Sequence, residues 1–342
     1  MSALENITIK GFKSIGSIEN LKLGPINVLI GPNGSGKSNF IEVFSFLREI
    51  ILDRLKDYVD RAGGADKILH FGSRTTEELL IDISFDDIAN RYTIRLRATD
   101  TDMLYLSSES DRFWNAHSDS DIRNHPDRWR VYHFHDTSST SPMRKTADVN
   151  DNRYLRSDAS NLAAFLYYLH EKHAVAYNLI RRTVQQVTPF FDDFLLQPLA
   201  LNNDKIRLEW RHKKSEAYFD ASSLSDGSLR FIALATLFLQ PESLRPSIIL
   251  LDEPELGLHP YAIAMLASLV KQASIKTQVI LSTQSSLLID HFQPEDVLVA
   301  ERVDGQTQFT RLNATRLETW LEDYSLGQLW EKNEIGGRPV VE

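Results

Sequence analysis

The sequence has no cysteine in its 342 residues, which excludes disulfides, thiolate zinc sites and cysteine nucleophiles. Any metal must therefore be held by oxygen or imidazole ligands. Long apolar runs are also missing: the longest, Phe231 to Leu239, is too short to cross a bilayer. The N-terminus lacks the basic-then-apolar pattern of a secretion signal, so the expectation is a soluble, cytoplasmic chain with no membrane partner. Basic residues are in deficit, with 38 Lys and Arg against 47 Asp and Glu and a net charge of −9. That balance disfavours a surface that binds nucleic acid everywhere and leaves room for a local basic patch. No repeat, low-complexity tract or sustained heptad is present, which excludes solenoids and long coiled coils. What is present, 42% hydrophobic and 25% charged residues, is the composition of a globular chain of one large or two ordinary domains.

Gly31-Pro32-Asn33-Gly34-Ser35-Gly36-Lys37-Ser38 fits the phosphate-cradling pattern G-x-x-x-x-G-K-[ST] at every constrained position. Ile26 to Ile30 reads as a buried strand entering this loop, and Asn39 to about Leu55 as a helix leaving it. This order implies a nucleoside triphosphate site. Glycines let backbone N–H groups converge on phosphates, and the helix N-terminus adds partial positive charge. Lys37 reaches the β and γ oxygens, and Ser38 can ligate magnesium.

Around this motif, Leu80 to Phe85 and Tyr92 to Arg97 alternate with the period of half-buried antiparallel strands, forming a small sheet beside the main one. From Ser107 to about Arg156 the chain turns polar around Trp114, Trp129 and Tyr132 and reads as a loop-rich insertion. Two helices follow, with apolar faces at Leu162, Phe165, Leu166 and Leu169 and at Ala176, Leu179, Ile180, Thr183 and Val187, before Pro189. The expected division is 1–105 with the phosphate loop and antiparallel strands, 106–200 as the insertion, and 201–342 as a C-terminal lobe.

In that last stretch, Pro246 to Pro254 is an apolar run of strand length that ends in Asp252 and Glu253. Adjacent strand residues point to opposite faces, so one carboxylate can serve the water shell of a metal and the other the attacking water. Leu224-Ser225-Asp226-Gly227-Ser228 opens the apolar helical stretch Leu229 to Leu239, either as an ordinary cap or as a second anion site. His133, His135 and Asp136 form a candidate metal cluster on an apparent strand, or simply its polar face. Arg128, Arg130, Arg144, Lys145, Arg181, Arg182 and Arg211-His212-Lys213-Lys214, with Trp129 and Trp210, are candidate nucleic-acid contacts or solvated ion pairs. Leu317, Trp320, Leu321 and Tyr324, with the tail Trp330 to Pro339, are core or a docking surface.

The Lys37 loop, the Leu-Ser-x-Gly stretch, the Asp252-Glu253 strand and Leu281-Ser282-Thr283-Gln284-Ser285 together resemble, in order and spacing, the heads of ABC-type ATPases. Gly11-Phe12-Lys13-Ser14, Gly34 to Asn39 and Glu255-Leu256-Gly257-Leu258-His259-Pro260 are similar to the soluble RecF, SMC and OLD branch. Tyr132 to Thr137, Leu326-Gly327-Gln328-Leu329-Trp330 and Gly336-Gly337-Arg338-Pro339 resemble the stand-alone AAA/ABC-type ATPases of bacteria.

That resemblance implies an α/β phosphate-loop fold with a mixed central sheet, an antiparallel β subdomain and an inserted helical and loop region. It implies ATP and Mg2+ as cofactors. Lys13, Asn33, Gly34, Ser35, Gly36, Lys37, Ser38 and Asn39 would contact the nucleotide, and Ser38 and Asp252 would hold the metal. Glu253 would polarise the attacking water. Two heads would sandwich two ATP molecules as a homodimer, Ser225 and Gly227 of one capping the γ-phosphate of the other. Gln284 stands where many relatives carry histidine and cannot become cationic, which points to slow or partner-dependent turnover shared with His259. Asp226 stands where relatives often carry glycine and would repel a triphosphate unless turned away. The implied function is an ATPase that senses or clamps nucleic acid and controls a partner effector. A nuclease in trans, as in anti-phage defence, fits best, because too little chain follows Gln284 for a nuclease domain. The alternatives are a RecF-like DNA-repair clamp and a nearly non-hydrolysing ATP-dependent scaffold.

Overall fold

A computed structural model describes residues 3–85, 90–112 and 129–337. Strands β1 (Leu4–Phe12) and β2 (Ile15–Lys22) precede the loop strand β3 (Ile26–Ile30) and helix α1 (Lys37–Ile51). Then come α2 (Leu55–Ala62), β4 (Leu79–Phe85), β5 (Asn90–Ala98), β6 (Leu104–Arg112) and β7 (Trp129–Tyr132). The middle of the chain holds β8 (Ala147–Asp148), α3 (Leu162–Lys172), α4 (Ala174–Val187), β9 (Phe191–Leu195), β10 (Lys205–Ile206), β11 (Glu209–His212) and β12 (Tyr218–Asp220). It closes with α5 (Asp226–Leu239), β13 (Ile248–Asp252), α6 (Pro260–Ala273), β14 (Gln278–Ser282), α7 (Ser286–Ile289), β15 (Val297–Val303), β16 (Gln306–Arg311), α8 (Ala314–Leu321) and α9 (Leu326–Lys332).

Two compact units, interleaved in sequence, divide these elements: 1–131 with 246–252 and 278–342, and 132–245 with 253–277. The first contains a six-stranded sheet in the order β16-β15-β3-β14-β13-β7 and an antiparallel five-stranded sheet in the order β2-β1-β4-β5-β6. β13, β14, β3 and β15 run parallel, and β16 turns back antiparallel, giving the expected mixed central sheet. β3 and β14 are buried along their whole length, in keeping with their apolar centres Val28–Ile30 and Val279–Leu281.

Helix α1 explains how the sheets share one core. Its buried residues Phe40, Ile41, Val43, Phe44, Phe46, Leu47 and Ile50 cover more than one face. They join a cluster with Ile7, Ile9 and Ile81 of the antiparallel sheet and Leu250, Ile280 and Leu298 of the central one. Gln278 adds a polar staple between those layers: its amide donates to Leu4 O and Gly24 O at 2.8 Å and accepts from Leu4 N at 3.1 Å. A buried amide satisfied on three sides fixes register as well as contributing stability.

The second unit packs helices around α5, which is buried from Leu229 to Leu239. The sheet β12-β11-β9 and the pair β10-β8 belong to it. Trp210, on β11, is 4% exposed and stacks on Phe191.

Candidate functional site

The phosphate loop owes its shape to glycine at one decisive point. Gly36 has φ 100°, and a Cβ there would lie 2.0 Å from Thr307 Oγ1 and 2.7 Å from Ser14 Oγ. No side chain fits, and the left-handed backbone would strain one anyway. Thr307 Oγ1 and Ser14 Oγ are 2.8 Å apart, and Asn39 Nδ2 donates to Ser14 Oγ at 2.7 Å. The Gly11–Ser14 turn is thereby tied to the start of α1. Lys13 itself reaches Glu42 on α1 at 2.5 Å.

Lys37 is 5% exposed, and its Nζ donates to Gly31 O at 2.7 Å and Pro32 O at 3.0 Å. The loop's own carbonyls thus hold a buried ammonium beside the backbone that would receive phosphate. Ser35 is buried and its Oγ has no hydrogen-bond partner among the described residues, whereas Asn33, Gly34 and Ser38 are exposed. At the end of β13, opposite β14, Ser282 Oγ donates to Asp252 Oδ1 in a short hydrogen bond. Thr283 N donates to Leu29 O at 3.0 Å, tying the end of β14 to the loop strand, and the next residue, Gln284, is exposed. These groups fit a magnesium nucleotide: an ammonium, the backbone N–H groups at the start of α1, a hydroxyl in its first turn and a carboxylate oriented by a second hydroxyl.

β13 ends at Asp252, so Glu253 is not placed by strand alternation. Its φ of 41° sits in the left-handed region immediately before Pro254. The sharp turn, not the pleat, aims this carboxylate. Glu253 opens the second unit's loop to His259, whose Nδ1 accepts from Tyr261 N at 3.3 Å as the N-cap of α6.

In the same unit, Ser225 is the exposed N-cap of α5, its Oγ accepting from Ser228 N at 3.1 Å. A Cβ on Gly227 would meet Gly257 O at 2.5 Å, so the Leu224–Ser228 stretch, here the signature loop, and the loop after Glu253 approach as closely as backbones can. Arg230, 4% exposed, donates to Phe134 O at 2.9 Å and His135 O at 3.0 Å. Burial pulls its guanidinium below the ordinary value, while Asp226 and Glu255 act against that pull.

Several candidates are placed elsewhere. β7 stops at Tyr132, so His133 and His135 are not strand neighbours, and their rings lie 6.3 Å apart. Among the described residues no group of three His, Asp or Glu could hold a metal ion. Trp129 and Trp210 are buried and offer no face for stacking a base. Arg181 and Arg211 pair with Asp193 and Asp192 at 2.9 and 2.6 Å. Trp114, Arg128, Arg338 and Pro339 lie outside the described residues. Within the tail, Gly337 N donates to Glu301 Oε1 at 2.9 Å, and a Cβ on Gly337 would lie 3.4 Å from Gly31 Cα. This part of the tail lies against the phosphate loop. Leu317 is buried, while Trp320 is 43% exposed.

Comparison with known proteins decides the family. A family model described as "AAA domain, putative AbiEii toxin, Type IV TA system" matches residues 26–290. The chain belongs to this family. No curated protein sequence matches it. Among solved structures it is similar to an Smc head bound to the C-winged helix domain of ScpA, with TM-score 0.62, 17% identity and coverage of 92% of this chain and 99% of that one. It is also similar to an Smc head with an extended coiled coil bound to the C-terminal domain of ScpA, derived from Pyrococcus furiosus, with TM-score 0.61, 16% identity and coverage of 94% and 99%. The SMC head domain from Thermotoga maritima matches with TM-score 0.50, 17% identity and coverage of 91% and 99%. At these identities the likeness speaks for the fold. The chain combines the fold of the SMC heads with the phosphate loop of an AAA domain.

Two roles escaped the reading of the sequence: that of Ser282, which orients Asp252, and that of Arg144, which holds the Leu224–Asp226 stretch. Ser282 stood in a recognised strand end, but only the register of β13 against β14 shows its partner. Ser282→Ala is expected to raise the magnesium concentration for half-maximal turnover about tenfold. A magnesium titration of ATP hydrolysis checks this.

Proposed function

We propose that two copies of this ATPase close around two ATP molecules and that the nucleotide state switches their association. The observation that carries this is the signature loop: Ser225 is exposed at the start of a long buried helix, and Gly227 is pressed against Gly257, so a rigid, solvent-facing cap exists. Such a cap is completed only when a triphosphate on a second copy meets it.

In this reading Lys37 and the N–H groups from Asn33 to Asn39 grip the phosphates, with Lys13 fixing the turn beside them. Ser38 and Asp252 hold Mg2+, which supplies charge neutralisation and a fixed coordination shell. Glu253 orients and deprotonates the attacking water, and Gln284 and His259 hydrogen-bond to the water or the leaving phosphate. Hydrolysis removes the charge that bridges the copies and releases them. Because Gln284 cannot become cationic, turnover is slow until a partner engages. The exposed position of Gln284 supports that, and it equally supports the scaffold reading, in which ATP binding alone does the work.

The ATPase cycle is proposed to sense nucleic acid and to control a nuclease supplied in trans. The family description names a toxin of a type IV toxin–antitoxin system, in keeping with a defence role over a repair clamp. Smc heads seen with ScpA fragments are in keeping with an effector bound by the head. Duplex DNA together with the co-purified effector is expected to raise ATP turnover about tenfold over either alone. Purification from native cells without a nuclease, and turnover indifferent to DNA, would sink this version and leave the scaffold.

A further inference from the structure

The signature stretch carries a carboxylate, Asp226, between its cap serine and its glycine, where a negative charge opposes the approach of a triphosphate. Its side chain is 65% exposed. The second unit supplies a counter-charge from elsewhere in the sequence. Arg144 Nη2 lies 2.8 Å from Asp226 Oδ1, and the Arg144 side chain is 7% exposed.

The remaining donors of this guanidinium go to backbone carbonyls. Nη1 donates to Ala221 O in a short hydrogen bond, and both Nη1 and Nη2 donate to Leu224 O at 3.2 Å. Nε donates to Thr137 O at 2.9 Å. The loop that presents Arg144 is itself knit together. Ser141 Oγ donates to Asp136 O at 2.6 Å and caps the turn Pro142–Arg144, while Ser138 closes on Asp136 Oδ1 at 2.7 Å. A cation so fixed loses little further entropy when it holds its partner.

We propose that Arg144 is a positioning residue of the trans-acting cap: it neutralises Asp226 and draws its carboxylate aside, so that Ser225 and Gly227 can meet a triphosphate on a second copy. This rests on the dimer reading above. A role as a mere staple would require only the carbonyl contacts; the charge role requires Asp226 as well, and the two are separable.

The test measures ATP-dependent self-association of the full chain by light scattering with ATP and Mg2+, with fluorescent-nucleotide binding to the single copy alongside. Arg144→Ala is expected to weaken the ATP-bound dimer about tenfold or more while leaving single-copy nucleotide affinity unchanged. Adding Asp226→Asn to Arg144→Ala is expected to restore most of that loss. Arg144→Lys, which keeps the charge without the fork, should fall between. Asp226→Asn alone, which keeps Arg144 and its carbonyl contacts, should associate as well as the unaltered chain or better.

Failure of Asp226→Asn to rescue Arg144→Ala would overturn the proposal, and so would weakened association of Asp226→Asn alone. An unaltered chain that stays single with ATP would instead bring down the dimer reading, and this inference with it. If the unaltered chain associates and Arg144→Ala associates equally well, this inference alone fails.

Discussion

Glu253→Gln is expected to slow ATP hydrolysis by about a hundredfold or more, since it keeps the size and polarity of the side chain and removes its capacity as a base. ATP binding should survive, because Lys37 and its loop are untouched. The left-handed turn at Glu253 is the reason for choosing glutamine. A change of shape there would disturb the backbone leading to Gly257, and through it the signature loop. The uncleaved triphosphate should then accumulate, and with it the associated form. Steady-state phosphate release with single-turnover cleavage checks the first part. Equal rates for Glu253→Gln and the unaltered chain would favour the scaffold.

Ser225→Arg should be as severe by a different route. The bulky cation replaces an exposed cap side chain, so the fold of α5 is retained at a cost of about 1 kcal/mol for the lost cap. Turnover is expected to fall about a hundredfold, as when a transition-state donor is removed elsewhere. Nucleotide binding by the single copy should not change. The discriminating observation is complementation. A mixture of Ser225→Arg with Lys37→Ala contains pairs with one intact composite site, because the intact Ser225 then faces the intact Lys37. Such a mixture should recover turnover that neither variant has. No recovery would place the signature loop's role within its own copy or outside catalysis.

The sequence revealed most where chemistry narrows the residue types at fixed spacing. The Lys37 loop, with its strand and helix, is such a place, since the position at Gly36 tolerates nothing else. The acidic strand was legible because a strand buried on both faces must be apolar until it surfaces at Asp252. The antiparallel strands showed their period at β4 and β5, whereas β6, Leu104–Arg112, runs into the stretch from Ser107 that read as a loop-rich insertion.

Other features depend on partners distant along the chain. β7 is four residues long and wholly buried, too short for a period to emerge inside a polar stretch. The interleaving of two compact units follows from β13 and β14 returning to β3, and no local pattern announces that. Trp210 sits among basic residues in the sequence, yet folds inward while Arg211 beside it turns out to Asp192. Arg144 read as one cation among many, because its partners Ala221, Leu224 and Asp226 lie some eighty residues further on.

The central claim is a catalytic pocket completed by a second copy. Its most direct test is the mass of Glu253→Gln in solution with and without ATP and Mg2+. The expected result is a single copy without nucleotide, a doubled mass with it, and a single copy again when Ser225→Arg is added. A mass indifferent to ATP, or a doubled mass that persists with Ser225→Arg, would contradict it.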